Sequence, residues 1–110
     1  MGIRPTRIGI APDRRPLADD IVVHVAGDID LFTAGQFDAG LLQAEGLTVE
    51  GGRLLLDLRE VEFLGVAGLH VLDLAYRRCA RRHVGLLLLA ARKAITRPIT
   101  LAGLHHCLNR

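Results

Sequence analysis

The chain has 110 residues, half of them apolar, and a formal net charge of +2. This length suits one compact domain that buries roughly two-thirds of its unfolded surface, so neither disulfides nor a metal is required for stability. The longest apolar run, residues 84–91, is far shorter than the roughly 20 residues of a membrane span. Dispersed charges and few aromatic side chains argue against nucleic-acid binding. We therefore expect a cytoplasmic domain without membrane insertion and without direct nucleic-acid contact.

The N-terminal part of the chain predicts two antiparallel strands. Residues 6–11 alternate between polar and apolar types and are bounded by prolines, which indicates a short edge strand. Residues 21–26 are apolar and largely β-branched, which indicates a more central strand. We accordingly divide the single domain into an N-terminal edge strand and loop, residues 1–20, and a core, residues 21–110.

A helix start is the clearest local signal in the sequence. Thr33 and Gln36 have the spacing of a capping box, in which each side chain satisfies a free backbone amide. Phe32 and Phe37 have the spacing of a hydrophobic staple. The helix should therefore begin at Thr33 and end near Gly46. Its apolar face is predicted to comprise Ala34, Phe37, Leu41 and Ala44.

The rest of the chain alternates between strand and helix patterns. Residues 53–58 are leucine-rich, as in a strand buried on both faces of a parallel sheet, and residues 59–64 are interpreted as its exit. An amphipathic helix follows and ends near His83; residues 84–91 form another strand, and a last helical pattern continues through Leu104. The order ββαβαβα predicts an α/β fold with a mixed, mostly parallel sheet of four or five strands covered by helices.

Proline and arginine raise questions that the sequence leaves open. Pro98 removes a backbone hydrogen bond at a cost of about 3 kcal/mol, so the third helix should kink or begin late.

The second helix carries a basic run, interpreted as a solvated outer face, with an acidic partner surface as the alternative. That run consists of Arg77, Arg78, Arg81 and Arg82.

The sequence offers no recognisable reactive centre. His105, His106 and Cys107 are consecutive and point in different directions, so they cannot all bind one tetrahedral zinc ion. Cys79 and Cys107 are expected to be free and reduced. No arrangement typical of nucleophilic catalysis and no cofactor motif is present. We therefore expect a protein that is not an enzyme and that binds neither a metal nor an organic cofactor.

Three motifs in order resemble the STAS domain family, the sulfate transporter and anti-sigma factor antagonist domains. Residues 25–34, VAGDIDLFTA, resemble its first signature, and residues 55–64, LLDLREVEFL, its second. Gly68 and Leu69 resemble the Gly-Leu pair that opens the family's second helix. The resemblance spans residues 21–108. It implies an anti-sigma factor antagonist, which binds a kinase-like anti-sigma factor and so frees a sigma factor for transcription.

The chain departs from this family at the residues that control it. In the family, an Asp-Ser-Ser/Thr-Gly-Leu loop carries a serine that the bound kinase phosphorylates. Val66 occupies that serine position, and the chain contains no serine at all. A phosphate would add about −1.5 to −2 charges to an apolar contact surface, which explains how it releases a partner. The remaining hydroxyl groups belong to Thr6, Thr33, Thr48, Thr96, Thr100 and Tyr76.

Eight residues are predicted to bind the partner, and two of them have other interpretations. The predicted residues are Asp28, Asp30, Thr33, Gly65, Val66, Ala67, Gly68 and Leu69. Asp28 and Asp30 resemble paired carboxylates for acid–base chemistry or metal binding, but turn and cap roles are favoured. For residues 65–68 the docking loop is favoured, and the alternative is a strand-to-helix turn in which glycine permits tight geometry.

The resemblance favours one function and leaves two others open. The favoured function is a regulatory module that binds an anti-sigma factor or serine-kinase-like regulator and that its kinase cannot inactivate. The first alternative is an accessory or scaffold subunit of a transporter or another signalling complex. The second is a degenerate domain cut from a longer regulator. Many family members add a last helix, and apolar surface left bare by its loss suggests a homodimer as a further hypothesis.

Overall fold

The computed structural model describes residues 7–12 and 20–109. Over these ranges the chain forms one sheet, three helices and a 3₁₀ turn at His105–Cys107. The elements in chain order are β1 (Arg7–Pro12), β2 (Asp20–Ile29), α1 (Ala34–Leu47), β3 (Arg53–Leu64), α2 (Val66–Arg81), β4 (Gly85–Leu89), α3 (Lys93–Leu101) and β5 (Leu108–Asn109). The predicted order is confirmed, and the two-residue strand β5 is added at its end. None of the described helices is long and apolar enough to cross a membrane.

The sheet is mixed and mostly parallel, as predicted. Its strand order is β1-β2-β3-β4-β5, with β1 antiparallel to β2 and every other neighbouring pair parallel. Residues 54–58 of β3 are all buried, which confirms a strand covered on both faces. Residue 6 of the predicted first strand and most of the loop that follows lie outside the described residues. The division of the domain after residue 20 remains a prediction.

One face of the sheet forms the core together with the helices. Val23, Leu56 and Leu88 are paired across β2, β3 and β4, and all three are fully buried. Alternation in the strands directs this row toward the apolar faces of α1 and α2. The predicted buried positions of α1 are confirmed, since Phe37 and Leu41 have no exposed surface. Both cysteines are free and buried, as expected.

The basic run on α2 is only partly a solvated face. Arg78 places its Nε 2.7 Å from Oε1 of the buried Glu45 on α1. Arg82 donates to the backbone oxygens of Glu45 and Thr48, at 2.6 and 2.8 Å. These oxygens lie at the end of α1, where the last carbonyls have no partner within the helix. The interpretation as a solvated outer face is therefore wrong for Arg78, which is half-buried, whereas Arg82 is exposed but also joins the two helices.

The third helix begins earlier and ends sooner than its sequence suggests. It starts at Lys93 with Pro98 inside it, so the expected late start is wrong. Ile95 and Ile99 are fully buried, and each such side chain contributes about 1.5–3 kcal/mol, enough to offset the hydrogen bond lost at Pro98. The helix stops at Leu101 rather than at Leu104, because Gly103 adopts a left-handed φ of 82°.

Candidate functional site

The two predicted binding segments meet because β2 and β3 are longer than their sequences suggest. Their parallel pairing continues to Ile29 opposite Leu64, so the interpretation of residues 59–64 as an exit from the strand is wrong. Beyond the last pair, the backbone amide of Gly65 donates to the carbonyl of Ile29 at 2.8 Å. The loop that follows β2 and the start of α2 are thereby held side by side at the carboxyl ends of the strands.

Gly68 allows the first turn of α2 to pack closely on β2. A Cβ atom at this position would lie 2.6 Å from Cγ2 of Ile29 and 2.8 Å from Cδ1 of Leu64. Both distances are far below van der Waals contact between carbon atoms. Leu69 beside it is half-buried and packs against the core. Gly68 is thus required by packing, whatever the loop binds.

The loop between β2 and α1 is held by a compact set of hydrogen bonds. Oδ1 of Asp30 accepts from the amides of Phe32 and Thr33, at 2.9 and 3.1 Å. The Thr33 hydroxyl accepts from the Asp30 amide at 2.9 Å and donates to the Asp28 carbonyl at 2.8 Å. Asp30 and Thr33 therefore bind each other's backbone, as in an Asx turn. The turn role favoured for Asp30 is confirmed.

This turn overturns the predicted helix start. The Thr33 side chain makes no capping hydrogen bond to α1, because its hydroxyl is used within the turn. The predicted staple is also wrong, since Phe32 is 80% exposed whereas Phe37 is fully buried. The sequence has the pattern of a capping box. In the structure, however, the Thr33 hydroxyl bonds to backbone groups of Asp30 and Asp28 within the turn instead.

An exposed apolar surface results at this end of the sheet. We name it the docking patch and define it as Leu31, Phe32, Phe63 and Val66. Three of its members are at least 80% exposed and Phe63 is 54% exposed. A Cβ at Gly65 would lie 3.0 Å from the Phe63 ring, so this ring packs over Gly65, the residue before Val66. Contiguous exposed apolar side chains mark interaction surfaces in soluble proteins.

The eight predicted site residues divide into one exposed side chain and a supporting frame. Val66 is 82% exposed and belongs to the docking patch. Asp28, Asp30, Gly65, Ala67 and Leu69 are half-buried, and Thr33 and Gly68 are buried. Sequence reasoning missed Leu31, Phe32 and Phe63 as surface residues. The sequence feature that could have identified them is the position of large apolar side chains at the ends of two neighbouring strands or immediately beyond them.

A second polar cluster stabilises the middle of the sheet. Asp57 on β3 binds the Arg59 guanidinium through both oxygens, at 2.8 and 2.9 Å, and lies 3.2 Å from Nδ1 of His24. The hydrogen bond from Arg59 is the main cause that lowers the pKa of Asp57 to about 2. The register between β2 and β3 shifts just after His24. The cluster therefore fixes an irregular point in the pairing of the two central strands.

The residues that the structure describes offer little chemical reactivity. No group of three or more histidine, cysteine or acidic side chains in these ranges could hold a metal ion. Burial raises the pKa of the Cys79 thiol to about 11, which disfavours the nucleophilic thiolate. What the site presents is an apolar contact surface over a rigid frame.

Comparison with known families assigns the chain. The model of the STAS domain matches residues 11–109, and the protein belongs to this family. No curated protein sequence matches the chain. The crystal structure of an anti-sigma factor antagonist from Mycobacterium paratuberculosis is similar, with 28% identity and a TM-score of 0.76, covering 94% of this chain and 82% of that one.

Two more distant structures share the fold. The Bacillus cell fate determinant SpoIIAA in its phosphorylated form has 13% identity and a TM-score of 0.66, over 94% of this chain and 89% of its own. The murine solute carrier 26 family member A9 anion transporter has 13% identity and a TM-score of 0.69, over 89% of this chain and 18% of its own. At these identities the likeness concerns the fold alone.

Proposed function

We propose that this STAS domain is a cytoplasmic, non-enzymatic regulatory module that binds an anti-sigma factor or a serine-kinase-like regulator through the docking patch. The observation that carries the proposal is the exposure of four large apolar side chains at the start of α2 and the end of β2 and β3. The proposal is supported by the resemblance at residues 65–69, since the loop that controls family members corresponds to the start of α2. The similar antagonist from Mycobacterium paratuberculosis supports this class of partner.

The proposed module cannot be released by phosphorylation at the usual position. Val66 offers no hydroxyl group, and Gly65 and Ala67 on either side offer none. Thr33, the hydroxyl-bearing residue of the predicted site, is buried and its hydroxyl is bonded to the Asp28 carbonyl. A kinase would have to break this turn to reach it. The complex should therefore persist when the partner kinase has ATP.

The test of the binding surface is calorimetry with the cognate anti-sigma factor. Phe32→Asp should weaken binding roughly 30-fold or more, because truncated or charged aromatic anchors typically cost about 2 kcal/mol. Leu47→Asp is the matched control, since Leu47 is 57% exposed at the far end of α1. Equal affinity of wild type and Phe32→Asp would contradict the proposal. Binding to a transporter subunit, with none to the anti-sigma factor, would support the accessory-subunit alternative instead.

Self-association remains a separate prediction. The homodimer hypothesis comes from the family resemblance alone. Sedimentation equilibrium at several protein concentrations measures it directly. A concentration-independent monomer mass would remove the hypothesis and leave the docking patch unaffected.

A further inference from the structure

The outer face of α3 carries a groove that the proposed docking function does not use. The groove has a volume of about 380 Å³ and is lined by Lys93, Ala94, Arg97, Pro98 and Leu101. It shares no residue with the docking patch. Leu101 is 81% exposed, so the groove combines a large apolar side chain with two cations. Its chemistry is that of an amphipathic contact surface rather than of a solvated helix face.

Lys93, one of the two cations of this groove, lies where it opposes helix stability. Lys93 is the first residue of α3, and the first turn contains no acidic residue. A helix N-terminus carries partial positive charge, so a cation there is unfavourable by a few tenths of a kcal/mol or more. Within the described residues, neither Lys93 nor Arg97 forms an ion pair. An anionic group brought by another molecule would compensate both charges.

Arg92 adds to the same positive field from a fixed position. Its guanidinium donates to the carbonyl of Val61 on β3, which anchors the start of α3 to the central strand. Arg92 and Lys93 at the start of α3, with Arg97 one turn further along, make this side of the helix positive. Pro98 has no N–H to donate to the Ala94 carbonyl, and both residues line the groove.

We propose that this α3 groove binds an acidic, partly apolar segment of a partner protein. Carboxylates would pair with Lys93 and Arg97, and an aliphatic or aromatic side chain would cover Leu101. Nucleic acid fits poorly, because none of the described residues that line the groove is an aromatic on which a base could stack. One large apolar side chain and two cations are also too little for stable anchoring to a membrane.

The test uses the full chain and a short fluorescein-labelled peptide of alternating glutamate and leucine. Lys93→Glu with Arg97→Glu should weaken its binding roughly tenfold, because two exposed charge contacts become repulsive. The matched control is Arg77→Glu with Arg81→Glu, which changes the net charge equally on α2 and should retain affinity. The α3 variant should not lose Tm, since the glutamate at position 93 suits a helix N-terminus and position 97 is exposed. Lost binding therefore cannot be attributed to unfolding.

The composition of the chain allows a second, independent measurement. Lys93 is the only lysine, so a carbodiimide can join a peptide carboxylate to the chain only at Lys93 or at the terminal amine. A cross-link at Lys93 that disappears in Lys93→Arg, while affinity is retained, would support the groove. Unchanged affinity in the α3 variant, equal loss in the α2 control, or binding to anionic phosphatidylglycerol vesicles but not to the peptide would overturn the proposal.

Discussion

Two regions of this domain differ in whether their side chains have partners within the chain. At the junction of α1 and α2, charged groups are satisfied within the chain: Arg78 binds the buried Glu45, and Arg82 binds the carbonyls at the end of α1. At the docking patch, a rigid frame of turn and glycine contacts supports apolar side chains that contact little of the domain itself. The comparison separates residues that stabilise the fold from residues available to a partner.

The largest loss of stability should come from the helix junction. Arg78→Ala leaves the Glu45 carboxylate buried without its main partner and should destabilise the domain by about 3 kcal/mol. The neighbouring Arg77→Ala is the control, because it removes an exposed ion pair to Asp73 that is worth about 0.3–0.5 kcal/mol. Urea unfolding measures both. Similar values for the two variants would mean that the pair of Arg78 and Glu45 stabilises the domain no more than an exposed ion pair does.

The frame beneath the docking patch should be nearly as sensitive. Gly68→Ala places a Cβ within 2.6 Å of the Ile29 side chain and should cost about 2 kcal/mol through overpacking. Gly35→Ala on α1 meets nothing within 4 Å and should be neutral or mildly stabilising. Chemical unfolding of the two variants tests the difference. A stable Gly68→Ala variant would show that α2 can shift away from β2 without cost.

Acid should weaken the cluster in the middle of the sheet. The pKa of Asp57 is about 2 in the folded domain against an ordinary value of 3.8, so its stabilisation is present above about pH 4 and is lost as pH falls toward 2. Asp57→Asn should lower Tm at pH 5 and flatten its decline between pH 5 and pH 2. Thermal unfolding followed by circular dichroism measures this. Parallel curves for wild type and variant would place the acid sensitivity elsewhere.

The smallest effect on stability is expected at the patch itself. Phe32→Asp, the substitution designed to weaken docking, should change the free energy of unfolding by less than about 0.5 kcal/mol, because Phe32 is 80% exposed. The same unfolding experiment measures it. A loss of more than about 1 kcal/mol would assign Phe32 to the frame rather than to the contact surface.

The order of elements was predictable, and the surface was not, for physical reasons. The apolar residues follow the pattern of each element, so the burial of Leu54, Leu56 and the apolar faces of α1 and α2 could be predicted. The extension of β3 to Leu64 passes through Glu60, an unfavourable residue for a strand, and depends on the pairing with β2, where Glu60 lies opposite Ala26. The predicted Thr33 cap is absent because the Thr33 hydroxyl bonds to Asp30 in the preceding turn instead.

The central claim is that the module binds its partner in a manner that ATP cannot reverse. The most direct measurement is the lifetime of the complex with the cognate kinase-like anti-sigma factor, with and without Mg-ATP, for wild type and for Val66→Ser. The account predicts an unchanged lifetime and no added phosphate for wild type, and release with phosphoserine for Val66→Ser. ATP-dependent release of the wild-type chain, with phosphate on Thr33 or Thr96, would contradict it.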